Sequence, residues 1–455
     1  MRQERITIVG GGLVGALLAT MLGRRGYQVT VFEKRPDMRK TEVAAGRSIN
    51  LALAERGLKA LRRAELDDDV EPLLIPMRGR MLHPLGGELE FSPYGQLEHE
   101  VIYSVSRGIL NERMLTASEE SKNVTFYFDH ECTGVDLDGK TIQLMNHQTG
   151  ERRSHDFEIL LGTDGANSAV RDAVVNCAGG TWTTDWLDHD YKELNIPPGP
   201  DGSFQIDKNS LHIWPRHGYM LIALPNLDGS FTVTLFLQKE GDPSFSKLTD
   251  EAAVESFFLE QFPDAHALLP DLKQDFFHNP TGVLGTVRCT RWTDGQSACL
   301  LGDAAHAIVP FHGQGMNAGF EDCAVLMDLL DESHRDWGSA MTAFEERRID
   351  NANAIADMAL ENYITMRDSV LDPVFQLKKQ LGFELERRFP DRFIPRYSMV
   401  MFHSIPYADA KHRGEIQDQI LELLIGTSST IDEIDFEFAG RLITERLSVL
   451  DEVNA

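Results

Sequence analysis

Cationic side chains, cysteine and long apolar runs are all scarce in this sequence, and each shortage excludes something. Lys and Arg number 44 against 71 Asp and Glu, a formal net charge of −27. Nucleic acid and anionic membranes both reward a basic surface, so neither is expected as a partner. Five cysteines occur, at Cys132, Cys177, Cys289, Cys299 and Cys323, with no Cys-x-x-Cys pair. That pattern fits free thiols in a reducing compartment and gives no disulfide framework or zinc site, so no metal is expected. No apolar run reaches the roughly 18 residues of a membrane span. The first strand-like segment starts at Arg5, which leaves no room for a signal peptide. The expectation is a cytoplasmic protein. Hydrophobic content of 42% and charged content of 25% over 455 residues fit a globular chain of two or three domains.

What is present begins with a glycine-rich turn. Arg5-Ile6-Thr7-Ile8-Val9 is apolar and β-branched, as a buried parallel strand should be. Gly10, Gly12 and Gly15 then fit Gly-x-Gly-x-x-Gly: a tight turn, a close approach to a pyrophosphate, and close helix packing. The run Ala16–Leu22 is a good helix whose amino end is a natural anion site. A second strand, Gln28-Val29-Thr30-Val31-Phe32, ends at Glu33, an acid placed to bind a ribose hydroxyl. That acid disfavours a 2′-phosphate, so the site suits FAD or NAD rather than NADP.

Two further segments repeat a strand that runs into an acid. They are Glu158–Gly165, ending in Asp164-Gly165, and Ala298–Asp303, ending in Gly302-Asp303. A carboxylate at a strand end can accept hydrogen bonds from a flavin's ribityl hydroxyls, with glycine permitting close backbone approach. Either acid alone reads as readily as a helix cap or an Asp-Gly turn. Their company with the fingerprint favours the flavin. After Pro310 comes Gly313-Gln314-Gly315-Met316-Asn317, which opens a helix whose N–H groups suit the flavin's pyrimidine edge.

Residues 203–237 alternate apolar and polar in short runs, the pattern of an antiparallel sheet with one covered face. The nucleotide-binding pattern resumes near Cys299, and from about residue 317 the chain reads as helical. The fold expected is α/β. A discontinuous Rossmann-like FAD-binding domain takes residues 1–75, 101–180 and 281–330. An inserted antiparallel-sheet substrate domain takes 76–100 and 181–280, and a C-terminal helical region takes 331–455.

The three cofactor segments resemble those of the single-component FAD-dependent aromatic-ring hydroxylases of the p-hydroxybenzoate hydroxylase type. Within that group the chain resembles the kynurenine 3-monooxygenase family, in its soluble bacterial form. The carriers are Gly46–Leu53, Pro76–Leu85, Leu211–Arg216, Ile222–Phe236, Val309–Asp322, Glu361–Arg367 and Phe393–Val400. The resemblance implies that Arg80, Tyr94, Asn362 and Tyr397 hold the amino-acid end of L-kynurenine. Its ring would lie against Leu211, Met220, Ile222, Leu224 and Phe236, with Pro310, Phe311 and Met366 beside it. Residue type agrees for the first group, since an arginine fork with phenol donors suits a carboxylate. Without the resemblance Arg80 fits a surface ion pair, and the apolar residues fit sheet core. The resemblance further implies that Leu13, Arg35, Ala52 and Arg107 lie at the cofactor with Gly315, Met316 and Asn317, and that His312 and Gln314 are polar neighbours of the reacting oxygen. From residue type alone Arg107 equally fits the surface, and His306 and His312 equally fit as partners of backbone groups.

The absence of a second Gly-x-Gly-x-x-Gly implies that NADPH docks transiently as a co-substrate. O₂ would then react at the reduced flavin to give a hydroperoxide that hydroxylates the ring. Rival readings remain. A flavin oxidase would not need NADPH. A halogenase would carry Trp-x-Trp-x-Ile-Pro, which Trp182, Trp186, Trp214, Trp292 and Trp337 do not form. A cofactor-free carrier would not need intact glycines, Glu33, Asp164 and Asp303. The oligomeric state, monomer or homodimer, is left open.

Overall fold

β-Branched segments dominate the strands of a five-stranded parallel sheet, ordered Ala298–Leu300, Ile159–Gly162, Arg5–Val9, Gln28–Phe32, Val124–Tyr127. Ile6, Ile8, Val31, Leu160 and Leu161 are buried almost completely, because both faces of the sheet are covered, by helices such as Leu13–Arg24 and by the small antiparallel sheet whose His155 meets Thr7 and Phe32. The structure, a computed structural model, describes residues 4–40, 50–426, 428 and 430–450. Its chain divides into two units: Met1–Leu74, Val105–Leu187 and Leu284–Ala356 in one, and Ile75–Ser104, Asp188–Val283 and Asp357–Ala455 in the other.

The parallel sheet belongs to the first unit. Helix Leu13–Arg24 buries an unbroken run from Gly15 to Gly23 and packs on Arg107–Glu119 and Gly315–Glu332. Strand Arg5–Val9 sits between Gln28–Phe32 on one side and Ile159–Gly162 on the other. The connection therefore reverses direction at this strand, and such a switch point opens a crevice at the carboxyl edge of the sheet. A small antiparallel sheet of His130–Asp136, Thr141–Asn146 and Arg152–Asp156 completes the unit's β structure.

In the second unit the strands alternate as the sequence pattern predicts. Residues 189–196 pair with Phe231–Gln238, followed by Met220–Pro225, Ser210–Pro215, Gly79–Leu82 and Glu90–Pro93. Leu194, Ile196, Trp214, Leu221, Ala223, Val233 and Leu235 point to one face. There they form a core with helices Glu251–Gln261, Pro263–His266 and Leu272–His278. The alternate residues Arg80, Leu211, Met220, Ile222, Leu224 and Phe236 point the other way. The C-terminal helices Pro373–Arg388, Tyr407–Ile425 and Phe436–Arg446 pack around Leu381, Leu385, Ile420 and Ile443. Among the described residues no helix is long and apolar enough to cross a membrane, and all five cysteines are free thiols.

Candidate active site

Parallel register puts Val9 beside both Phe32 and Gly162, and Gly162 beside Leu300. The residues that follow those strands, including Gly10, Glu33, Asp164 and Asp303, therefore gather at the carboxyl edge of the sheet. A Cβ on Gly15 would stand 1.9 Å from the Gly10 carbonyl oxygen, so only glycine lets the helix begin this close to the strand. Gly12 is the opposite case. The nearest atom to a Cβ there would be Arg35 Nη2, at 3.9 Å, so there is room beside the helix start. Gly12 is the N-cap of helix Leu13–Arg24, which has no side-chain cap and no acid in its first turn. Its first N–H groups lack a protein acceptor of that kind, and an anion such as the FAD pyrophosphate fits.

Glu33 is buried. Its Oε2 accepts from Gly11 N at 2.7 Å, and its Oε1 accepts from Arg35 N at 2.9 Å and Arg35 Nε at 2.8 Å. Burial works against ionisation here, but the Arg35 bonds and charge outweigh it and hold the carboxyl below its usual range. The acid is thus ready as an anionic acceptor with its orientation set. Arg107 opens helix Arg107–Glu119 with an exposed side chain, and Asn111 in that helix donates to the Gly11 carbonyl at 3.4 Å.

The two other strand-end acids differ. Asp164 accepts from Ser168 Oγ at 2.6 Å and from the N–H groups of Ala169 and Val170 at 2.8 and 3.3 Å. Its carboxylate caps helix Ala169–Cys177, and burial raises its pKa. Asp303 is exposed and makes no side-chain hydrogen bond among the described residues. Of the pair, Asp303 is the acid with its acceptors unspent.

Helix Gly315–Glu332 also begins without a side-chain cap, at Gln314, after the turn Pro310–His312. Its first three residues are Gly315, Met316 and Asn317. The Asn317 side chain is spent on the protein, donating to Ala52 O and Gly313 O at 2.8 Å each and accepting from Ala54 N at 2.9 Å. It pins strand Asn50–Leu53, and so Ala52, to the turn before the helix, leaving the main chain to meet a cofactor. Pro310 is exposed, Phe311 and His312 are buried, and Gln314 is fully buried. Residues 46–49 of the Gly46–Leu53 motif lie outside the described residues.

A buried ion network that sequence reasoning did not foresee holds the Gly302–His306 loop. Asp322 accepts from Gly302 N at 2.9 Å, His306 Nε2 at 2.6 Å and Arg348 Nε at 2.7 Å. Glu321 takes Arg56 Nη1 at 2.6 Å and Arg348 Nη1 at 2.5 Å. Burial opposes both charges, yet the cations hold both carboxyls below their usual range. His306 therefore serves a carboxylate rather than a backbone group. The available signal was a Glu-Asp pair inside an otherwise apolar helix.

The second unit brings together three residues that are far apart in sequence. The Arg80 Cζ lies 5.7 Å from the Tyr94 ring centroid and 5.2 Å from that of Tyr397, and the two rings stack at 5.4 Å and 11°. Arg80 is buried, and its Nε and the Tyr94 Oη have no hydrogen-bond partner among the described residues. Burial raises the pKa of Tyr94, and the neighbouring Arg80 opposes that rise. Burial also drives Tyr397 well above its ordinary value. Both phenols stay protonated as donors. Leu211 is the strand neighbour of Arg80, and Met220 pairs with Phe236 on the same face.

Asn362 lies in the last turn of the long helix Trp337–Ile364 and donates to Met366 Sδ at 3.3 Å. Met366 sits in a π-helical turn, Thr365–Ser369, a feature frequent at functional sites. The turn is tied to the hairpin tip that precedes Met220, where His217 N donates to Arg367 O and Gly218 N donates to Asp368 Oδ1.

Comparison with known proteins agrees with this geometry. A model of the FAD binding domain matches residues 3–359. The chain is 47% identical to a kynurenine 3-monooxygenase of Myxococcus xanthus, over 98% of this chain and 96% of that protein. It is 46% identical to a kynurenine 3-monooxygenase of Stenotrophomonas maltophilia, over 99% and 98% respectively. Among solved structures it resembles 2-methyl-3-hydroxypyridine-5-carboxylic acid oxygenase, with a TM-score of 0.67 at 19% identity, covering 82% of this chain and 95% of that one. PqsL of Pseudomonas aeruginosa, in complex with 2-aminobenzoylacetate, aligns with a TM-score of 0.65 at 19% identity, covering 81% and 97%. These two likenesses speak to the fold alone. The chain belongs to the kynurenine 3-monooxygenase family, built on the FAD binding domain.

Proposed function

We propose that this protein is an FAD- and NADPH-dependent monooxygenase that hydroxylates the aromatic ring of L-kynurenine to 3-hydroxy-L-kynurenine. It acts in the cytoplasm, where five free thiols persist. One observation carries the substrate assignment: a buried arginine beside two stacked phenols, its Nε unpartnered, adjoining an apolar sheet face. An amino acid with an aryl ketone side chain matches both parts. The 47% identity to a relative that carries this activity in its name supports the same substrate.

FAD, when bound, accepts hydride from NADPH and activates O₂ for ring hydroxylation. The protein's own residues supply placement. The uncapped helix starts at Gly12 and Gln314 take the pyrophosphate and the pyrimidine edge, with Arg107 adding a cation. Glu33 accepts a ribose hydroxyl, and Asp303 accepts from the ribityl chain. Arg80 holds the substrate carboxylate by a charge-assisted bond, and Tyr94 and Tyr397 donate to it. Leu211, Ile222, Leu224 and Phe236 keep water from the ring. Asn362 and Met366 flank the amino-acid end. By the family resemblance Pro310 and Phe311 are substrate contacts, and His312 and Gln314 would be polar neighbours of the oxygen that FAD activates.

The test is NADPH oxidation by the yellow protein with and without L-kynurenine, following 3-hydroxykynurenine by chromatography. Kynurenine-stimulated oxidation with matching product is expected. Stimulated oxidation that yields only peroxide would make kynurenine an effector and overturn the substrate. No response in FAD-loaded protein would overturn it too, while leaving the cofactor reading intact.

A further inference from the structure

The site around Arg80 contains a second cation. Lys379, on helix Pro373–Arg388, donates from Nζ to Ser92 Oγ at 2.6 Å and to Pro93 O at 2.5 Å. Ser92 is buried and stands directly across the strand pair from Arg80, and Tyr94 follows two residues later. The fold thus brings a lysine 287 residues distant in sequence to the cross-strand neighbour of the substrate arginine.

Neither Arg80 nor Lys379 has a carboxylate partner among the described residues. The nearby acids are engaged elsewhere. Glu384 pairs with Arg387 and Arg388, and Glu422 pairs with Lys378. Glu386 accepts from Gln96 Nε2, and Glu100 accepts from the N–H groups of Gln96 and Leu97. Burial first, and then the charge of Arg80, pull the half-buried Lys379 ammonium down to about 7. Two adjoining cations without a counter-charge are costly until an anion joins them. An ammonium has three donors, and Ser92 and Pro93 take two of the three on Lys379.

We propose that Lys379 is a specificity-determining residue of this enzyme, giving its third N–H and its charge to the substrate carboxylate beside Arg80. It thereby selects aryl ketones that carry an α-carboxylate over the same ring and amine without one. The inference rests on the reading above that the carboxylate end of L-kynurenine lies at Arg80. Arginine supplies a planar fork and lysine a point charge, so the two act on one carboxylate without duplicating each other. Discrimination gains from leaving two cations unpaired when the wrong ligand binds.

The experiment is a binding titration of the FAD-loaded protein, read by the flavin spectrum, with L-kynurenine and with kynuramine, its analogue lacking the carboxylate. Lys379→Met is expected to weaken L-kynurenine about 10- to 50-fold, the worth of a charge-assisted bond, and to leave kynuramine unchanged. Lys379→Arg should restore most of the loss. Equal weakening of both ligands would show a structural role and overturn the proposal. Wild-type discrimination that persists in Lys379→Met would overturn the Lys379 assignment and leave the Arg80 reading standing. A wild-type protein that binds both ligands equally would overturn both. Should Lys379→Met fail to retain FAD, Lys379→Gln carries the same comparison.

Discussion

The two faces of the inserted sheet are made from alternate residues of the same strands, yet they treat buried polar groups in opposite ways. On the face that meets helices Glu251–Gln261 and Pro263–His266, every link of a polar chain is closed. His83 Nδ1 lies 2.7 Å from Asp264 Oδ2, His83 Nε2 lies 2.9 Å from His212 Nδ1, and His212 Nε2 lies 2.7 Å from Asp207 O. Both ends of this chain accept, and the two imidazoles bridge them through the contact between their rings. Burial pulls the His212 imidazole down to about 4. Trp214 Nε1 adds a donor to the same carboxylate at 2.8 Å. On the opposite face, among the described residues, Arg80 Nε and Tyr94 Oη have no hydrogen-bond partner and Lys379 has no counter-acid. A closed network holds a fold together, whereas an open one of this kind is suited to a ligand.

The comparison is broken most sharply at Arg80. Arg80→Met should cost about 3 kcal/mol of L-kynurenine binding while FAD content and the thermal midpoint hold. A titration showing wild-type affinity would end the carboxylate assignment. Next, Asp264→Ala leaves the His83 ring and the Trp214 N–H without their acceptor. Because Asp264 is half exposed, the expected loss is about 2 kcal/mol of stability, seen in urea melts, with kynurenine affinity retained. A matching loss of affinity would show that the two faces are not separate in function. Asp303→Ala lies on neither face and should lower FAD affinity by about 1 kcal/mol, measured by flavin release. A fully yellow variant with a changed substrate range would contradict that role.

The smallest effect is a slope. Lys379 is held at about 7 when folded against 10.5 as its ordinary value. Between those values the unfolded chain binds a proton that the folded one has shed, so stability rises with pH across that window. Below it both states are protonated and the full penalty applies. Lys379→Met should therefore be more stable than wild type at acid pH, with the gap closing as pH rises through that window. Urea midpoints at several pH values check this, and a gap that widens with pH would refute it.

Much of the first unit was legible because its signals are local. Gly15 is dictated by a clash one turn away, and Glu33 by its place after a strand. Alternation marked residues 203–237 as a one-face sheet. The family resemblance gave Leu211, Met220, Ile222, Leu224 and Phe236 to the ring, and the strand register put them together on the face away from the helices of residues 251–278. Asp164 and Asp303 look alike in sequence, but the first spends its carboxylate on a helix cap. Asn317 was expected at the cofactor, and the structure adds that its side chain pins Ala52 and Ala54, which leaves the main chain for that role. Lys379 gave no signal, since nothing near it in sequence marks Ser92 as its partner.

The sequence by itself determined the parallel strands, the glycine turn and the alternating sheet, because sterics and period-two burial act between neighbours along the chain. Only the tertiary structure decided which buried polar atoms are spent and which remain available. Hydrogen-bond satisfaction depends on groups that folding brings together from distant segments: Asp322 with Gly302, His306 and Arg348, and Arg80 with Tyr94, Tyr397 and the Ser92–Lys379 pair.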